Sequence, residues 1–318
     1  MPNDFAWLVS GGMGVLQLVG VISLAPLLQG GIKTIKARCQ HRQGPSPLQP
    51  YYDLLKYWRK GPVVSDQASW IFTLTPFVVF GSMLALTLLV PVVGAAPLNG
   101  WDDLLLLLGM LALARVMLVL AGLDTGSAFG GMGSSREMLV SVLVEPGLLV
   151  VLVATALRAN STSLSVMVHD AVVHQGMFVP AALLTGVAFI LILLAETGRL
   201  PVDNPDTHLE LTMIHEGMLL EYAGRPLALL LWATWIKQFL LMALLVNLFV
   251  PWGARLGTDG SAWVLNVLLL GGKLLGVALG VSAIEMLEPK MRLFLLPRFL
   301  GAAFLVAVLG MLLPSFLR

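Results

Sequence analysis

Long apolar runs broken by short polar segments dominate this chain. Runs of about 20 residues, the length that crosses a bilayer as a helix, recur eight times, at 5–30, 70–93, 103–123, 136–157, 178–196, 227–250, 262–285 and 298–316. The pattern predicts an all-α fold: one integral membrane domain over residues 1–318, a polytopic bundle of about eight helices. Two polar segments stand apart from it, a basic one at 33–68 and an acidic one at 197–226. The first apolar run has no basic stretch before it and no small-residue cleavage pattern after it, so it reads as a retained helix, not a signal peptide.

Composition agrees with the pattern. The chain is 58% hydrophobic and 12% charged, where a soluble domain carries about 25% charged residues. A net charge of +1 gives no footing for nucleic acid as a partner. The single cysteine, Cys39, excludes an intramolecular disulfide or a multi-cysteine metal cluster in this chain. Lys33, Lys36, Arg38, Arg42, Lys56, Arg59 and Lys60 crowd the first loop, and only Arg255 lies between the sixth and seventh spans. By the positive-inside rule loops one, three, five and seven face the cytoplasm, which puts both termini outside.

The basic segment carries Leu48, Tyr51, Tyr52, Leu55 and Trp58 at helical spacing, opposite Asp53, Lys56, Arg59 and Lys60. Such a helix either rests on lipid headgroups or docks a cytoplasmic partner, with Gly44, Pro45 and Pro47 making the turn before it. Residues 124–135 are glycine-rich and read as a loop between the third and fourth spans; without a phosphate-loop lysine they are no nucleotide site.

The acidic segment holds six carboxylates and two histidines within residues 196–221. Asn204 is a candidate helix cap with Pro205 after it, and Gly224 and Pro226 are the stop signals. On one continuous helix Asp206, Glu210 and Glu221 would share a wedge of about 60°. His208 and His215 would project from the other face. The segment is either a solvated acidic helix or one wall of a hydrated proton path, and its histidines match no metal-ligand spacing. Inside the spans lie Arg115, Glu137, Glu145, Lys237, Lys273 and Glu285, with Glu196 at a membrane edge. Charges at such depth mark function by default. Glu137 and Glu145 are about 80° apart on one helix and can both face the interior. Arg115 and Lys273 are deep enough to pair with glutamates, whereas Arg136 and Arg298 can snorkel. Burial raises a carboxyl pKa and a nearby cation lowers it, so glutamates held between the two can exchange protons near neutral pH.

Two motifs carry a family resemblance. Gln40-His-Arg-Gln-Gly-Pro45 with Leu48-Gln-Pro-Tyr-Tyr-Asp-Leu-Leu-Lys56 resembles the first cytoplasmic loop of the quinone-chamber membrane subunit of respiratory complex I, the subunit 1 family. Glu196-Thr-Gly-Arg-Leu-Pro-Val-Asp203 and Glu221-Tyr-Ala-Gly224 resemble that family's acidic loop. Asp206-Thr-His-Leu-Glu-Leu211 departs from the respiratory pattern, and the helix before Glu221 is longer by three residues. The stretch Gly122–Glu137, running into Val144-Glu-Pro146, is similar to the corresponding subunit of energy-converting membrane-bound [NiFe] hydrogenases, of which formate hydrogenlyase is the type example.

The resemblance implies a non-catalytic coupling subunit. Glu196, Asp203, Asp206, Glu210 and Glu221 would form the cytoplasm-side acidic path, continued inward by Glu145 and Glu137 and tuned by Arg199, Arg115 and Lys273. Arg42, Gly44, Pro45, Asp53 and Lys56 would organise partner docking. The implied partners are hydrogenase large and small subunits, an iron–sulfur subunit and antiporter-like membrane subunits within the lipid bilayer. The [NiFe] centre and iron–sulfur clusters are expected in those partners, with no cofactor bound by this chain. The other readings are a quinone-reducing complex I subunit and, more remotely, a stand-alone secondary transporter, for which the sequence shows no internal repeat.

Overall fold

A computed structural model describes residues 2–174, 180–203, 213–254 and 260–316. Helix follows helix through them, with no strand. In chain order they are α1 (Pro2–Cys39), α2 (Gln49–Trp58), α3 (Trp70–Leu89), α4 (Leu104–Asp124), α5 (Ala128–Ala159), α6 (Leu164–His174), α7 (Pro180–Glu196), α8 (His215–Leu219), α9 (Arg225–Phe249), α10 (Gly260–Leu287) and α11 (Leu296–Phe316). Among the described residues seven helices (α1, α3, α4, α5, α9, α10 and α11) are long and apolar enough to cross a membrane. The remaining expected span is α7, at 17 residues the short end of what crosses. The protein is a multi-pass membrane helix bundle.

α9 is the centre of that bundle. Its most apolar stretch is 72% buried, against 28% for α10 and for α11. It packs against α1, α2, α3, α6, α7 and α10. Lipid tails are as apolar as leucine, so close packing, and not exclusion from water, decides which helix takes the middle.

Three elements differ from the sequence expectation. α1 continues to Cys39, so Lys33, Lys36 and Arg38 ride on a helix and not in a loop. The glycine-rich stretch is the first turns of α5. Ser127 caps that helix, its hydroxyl oxygen accepting the Gly130 amide at 3.1 Å. Packing overrides the poor helix propensity of glycine here: a Cβ on Gly133 would stand 3.1–3.2 Å from the backbone of Ile214, Gly217 and Met218. That missing side chain lets α8 lie against α5. Lastly, no continuous helix runs to Gly224. α8 spans five residues, and Gly224, at φ +63°, starts α9 instead of ending its predecessor. A Cβ at Gly224 would meet the Gly61 and Lys60 carbonyls at 2.5 and 2.6 Å, so only glycine allows this crossing of the first polar segment over the start of α9.

At the other end of the bundle Asp102 fastens two connections together. Its carboxylate accepts the Gly100 amide at 3.1 Å, the Ser163 hydroxyl at 2.8 Å and the Ser165 amide at 2.8 Å. Burial pushes this carboxyl up, but the hydrogen bonds from Ser165, Ser163 and Gly100 outweigh it and hold the group below the usual carboxylate range.

Candidate functional site

Arg115, midway along α4, is the pivot of a buried charge network. α5 brings Glu137 and Glu145 to it, and α7 brings Glu196. The Arg115 guanidinium pairs with Glu145 at 2.5 Å through Nη1, with Glu196 through Nη2, and with Glu137 at 3.7 Å through Nε. Lys237 of α9 reaches the second oxygen of Glu196 at 3.6 Å. Two cations thus face three carboxylates, and full ionisation leaves one negative charge in excess inside an apolar bundle. Such an excess is costly in a low dielectric, and taking up a proton removes it. Glu137 has the longest of the three contacts with Arg115 and is the loosest-held acid.

The carboxylates differ in access. The Glu196 side chain is 3% exposed, whereas that of Glu145 is 45% exposed. Glu145 stands in an outward groove of about 440 Å3 between α4 and α5, with Arg115 and Glu196 behind it. On the inner side two small cavities, about 30 and about 20 Å3, meet around Glu137, His215 and Lys237. Each has room for one or two waters and offers them polar partners. The site is therefore a string of acids with water-sized pockets on one side and an open groove on the other.

His215 belongs to this site, contrary to the reading that set it on a face away from the acids. It lines both small cavities, and its Nε2 lies 3.4 Å from the Thr234 hydroxyl. Burial pushes its pKa below the ordinary imidazole value; Glu137 opposes that shift, Lys237 reinforces it, and Asp203 and Glu196 oppose it further. The assumption of one continuous helix misplaced it. The backbone is non-helical at Ile214 and α8 begins at His215 itself, which turns the ring inward.

A second network lies beside the first. Arg199 does not tune Glu196. Its guanidinium donates to Glu285 of α10 at 3.0 Å, to Gln238 of α9 at 2.8 Å and to Gln29 of α1. Lys36 adds a contact to Glu285 at 3.2 Å. Asp203 pairs with Lys290 at 2.7 Å and accepts the Ile214 amide at 3.2 Å, which anchors the chain just before α8. Arg136 does not snorkel; it donates to the Met213 carbonyl at 3.0 Å. Lys273 joins no glutamate: its ammonium donates to the Val250 carbonyl at 2.7 Å, at the far end of α9. Glu221 is exposed and away from the Arg115 network. Asp206, Glu210 and His208 lie outside the described residues, as do the cap residues Asn204 and Pro205.

The first polar segment folds back along α1. The Pro45 carbonyl accepts the Thr34 hydroxyl at 2.9 Å, and Gly44 passes tightly over Ala37. Within α2, Gln49 donates to Asp53 at 3.0 Å. α2 turns Pro50 and Leu54 inward and leaves Leu48, Tyr52, Leu55 and Trp58 exposed, so the apolar stripe faces away from the bundle. Arg42 and Lys56 are exposed beside it.

A buried arginine–glutamate network lies at the heart of this multi-pass membrane bundle, and comparison with known proteins makes the chain a membrane subunit of a respiratory-type complex. Residues 13–315 match the family described as NADH dehydrogenase, and the chain belongs to it, among proteins like complex I subunit 1. It is 35% identical over 300 residues to formate hydrogenlyase subunit 4 of Escherichia coli (strain K12), covering 93% of this chain and 96% of that protein. It is 36% identical over 241 residues to hydrogenase-4 component C of the same organism, covering 74% of each. NADH-quinone oxidoreductase subunit 8 of Rhodothermus marinus is 25% identical over 245 residues, 74% of this chain and 71% of that one. The fold is shared with a chain of the membrane-bound sulfane sulfur reductase, an archaeal respiratory membrane complex, at a TM-score of 0.82 and 19% identity over 97% of this chain and 99% of that one.

Proposed function

We propose that this chain is the membrane anchor and ion-coupling subunit of a membrane-bound [NiFe] hydrogenase, lying in the cytoplasmic membrane of a prokaryote with both termini outside. The observation that carries the proposal is the single Arg115 guanidinium shared by Glu137, Glu145 and Glu196. Its excess carboxylate takes a proton from the hydrated cavities around His215. Uptake at Glu137 loosens that acid from Arg115, and the guanidinium then rests on Glu145 and Glu196. The proton passes outward through Glu145 to the groove between α4 and α5, where an antiporter-like membrane subunit abuts. Asp203, Asp206, Glu210 and Glu221 supply protons from the cytoplasmic side. The exposed stripe of α2, with Arg42 and Lys56 beside it, receives the hydrogenase and iron–sulfur subunits.

The metal centres would sit in those partners. Among the described residues no group of histidine, cysteine and carboxylate side chains is arranged to hold a metal ion. Relatives named as formate hydrogenlyase and hydrogenase-4 subunits support this reading. The match to a NADH-quinone oxidoreductase subunit supports a second one, a quinone-reducing complex.

One purification separates them. The complex is isolated in mild detergent through a tag on this chain, then tested for nickel, iron, hydrogen evolution and quinone reduction. Nickel with hydrogen evolution is the expected result; iron with quinone reduction and no nickel selects the second reading. In the same preparation Glu196→Gln is expected to leave assembly intact and weaken coupling of turnover to proton movement. Unchanged coupling would remove Glu196 from the path.

A further inference from the structure

At the end of the bundle away from the carboxylate site, α6 and α10 both lean on the last turns of α9 and leave a cleft of about 580 Å3 between them. That volume is in the range of about 300–1,000 Å3 that small-molecule sites occupy. Most of its wall is aliphatic, including Val166 and Val172 from α6 and Leu269 and Leu270 from α10. Two of its polar members matter to the argument: Lys273 on α10 and Asn247 on α9.

Lys273 sets the chemistry. A helical lysine extends toward its helix N-terminus, and this one meets the Val250 carbonyl, where α9 ends and the chain leaves the bundle. Its ammonium therefore lies level with the end of a full-length span, although its backbone is deep within α10. One of its three N–H donors is engaged there. Among the described residues lining the cleft no carboxylate faces that ammonium. Asn247 cannot supply an anion; its amide nitrogen donates to the Pro91 and Val92 carbonyls at 2.8 and 3.1 Å, which fixes it as part of the floor. Beside the cleft the outward face of α10 shows Val264, Leu268 and Leu275, all more than half exposed.

We propose that this cleft binds one anionic phospholipid, its phosphate on the Lys273 ammonium and its acyl chains along the aliphatic wall and the outward face of α10. An ammonium at the edge of a bilayer attracts anionic lipid, and a charge-assisted hydrogen bond to phosphate is among the stronger contacts it can make. A zwitterionic lipid would bring its own cation into a cleft that already holds one. The site is independent of which peripheral arm docks at the opposite end.

The test uses the intact complex, purified through a tag on this chain and exchanged into nanodiscs of equal parts phosphatidylglycerol and phosphatidylcholine. Lipid retained on release is read by native mass spectrometry. The wild type is expected to keep phosphatidylglycerol in preference. Lys273→Met is expected to lower that retention about tenfold, the factor of one charge-assisted hydrogen bond, with phosphatidylcholine unchanged. Lys273→Arg is expected to keep it. Equal retention of phosphatidylglycerol by Lys273→Met would overturn the proposal. So would displacement of the lipid by inorganic phosphate, which would mark a bare anion site. Should Lys273→Met fail to assemble, a benzophenone amino acid at Val166 in an otherwise wild-type chain decides: a cross-link to phosphatidylglycerol supports the site, and one to a protein subunit overturns it.

Discussion

Two arginines of this bundle sit in different electrostatic surroundings in neighbouring networks. Arg115 meets three carboxylates with only Lys237 to help it among the described residues, so its neighbourhood has too much negative charge. Arg199 meets one carboxylate, Glu285, which Lys36 also contacts, and turns its remaining donors to two glutamine carbonyls; among the described residues its charge is matched once and otherwise held by neutral dipoles. Adjacent residues of α9 serve the two, Lys237 the first and Gln238 the second. A cation surrounded by amides has nowhere to send a proton and acts as a clamp among α1, α9 and α10. A cation shared among surplus acids has several arrangements of similar energy, which is what moving a proton needs. Counting charges, and not naming residue types, separates the fastener from the proposed relay.

The sharpest way to break this contrast is to remove the shared cation. Arg115→Met leaves three acids with one lysine, and breaking a buried pair costs about 3–5 kcal/mol. Loss of assembly, or a large drop in the melting temperature of the solubilised complex, is the expected result. Next comes Glu285→Gln, which strips the clamp of the carboxylate that Arg199 and Lys36 share. A cost of about 3 kcal/mol is expected, again read by thermal melting. Glu137→Gln sharpens the comparison by doing the same chemistry to the other network. Here the substitution balances two cations with two carboxylates, so stability should move by no more than about 1 kcal/mol while proton-coupled turnover falls. If Glu137→Gln proved as destabilising as Glu285→Gln, the charge-excess account of the Arg115 site would fail.

The smallest effect is expected at His215. Its folded pKa lies below the unfolded value of about 6.5, so below that value the unfolded chain binds the proton more readily. The stability His215 contributes is therefore complete above that value and is lost as pH falls toward the folded pKa. Melts of the complex between about pH 7 and pH 5 should slope downward, and His215→Gln should flatten that part of the slope.

Much of the fold was legible in the sequence because lipid imposes a simple rule: a span must be apolar and about 20 residues long. The limits of α5 were not. Glycines that read as loop are helical because α8 presses on the space they leave, and nothing local signals a partner some 80 residues further along the chain. The ionisable residues could be singled out one by one, since charge inside a span is conspicuous. Their pairing could not. Arg115 and Glu196 are 81 positions apart, Arg199 and Glu285 are 86, and no spacing rule distinguishes the pairs that form from an exchange of partners. Lys273 shows the same limit from the other side: depth alone suggested a glutamate, and the structure gives it a carbonyl.

The Asp102 fastening has a consequence for how the chain is made. This aspartate emerges from the ribosome 61 residues before Ser163 and 63 before Ser165, the residues that cover it. Until α4 and α5 have been made, its carboxylate has only the nearby Gly100 amide among these partners. When the turn into α6 arrives, both connections lock at once, with the Leu164 amide closing on the Asp102 carbonyl at 2.7 Å. A chain stopped before Ser163 would keep an open seam there. This end of the bundle is therefore closed by a segment that comes later in the chain than the two helices it fastens.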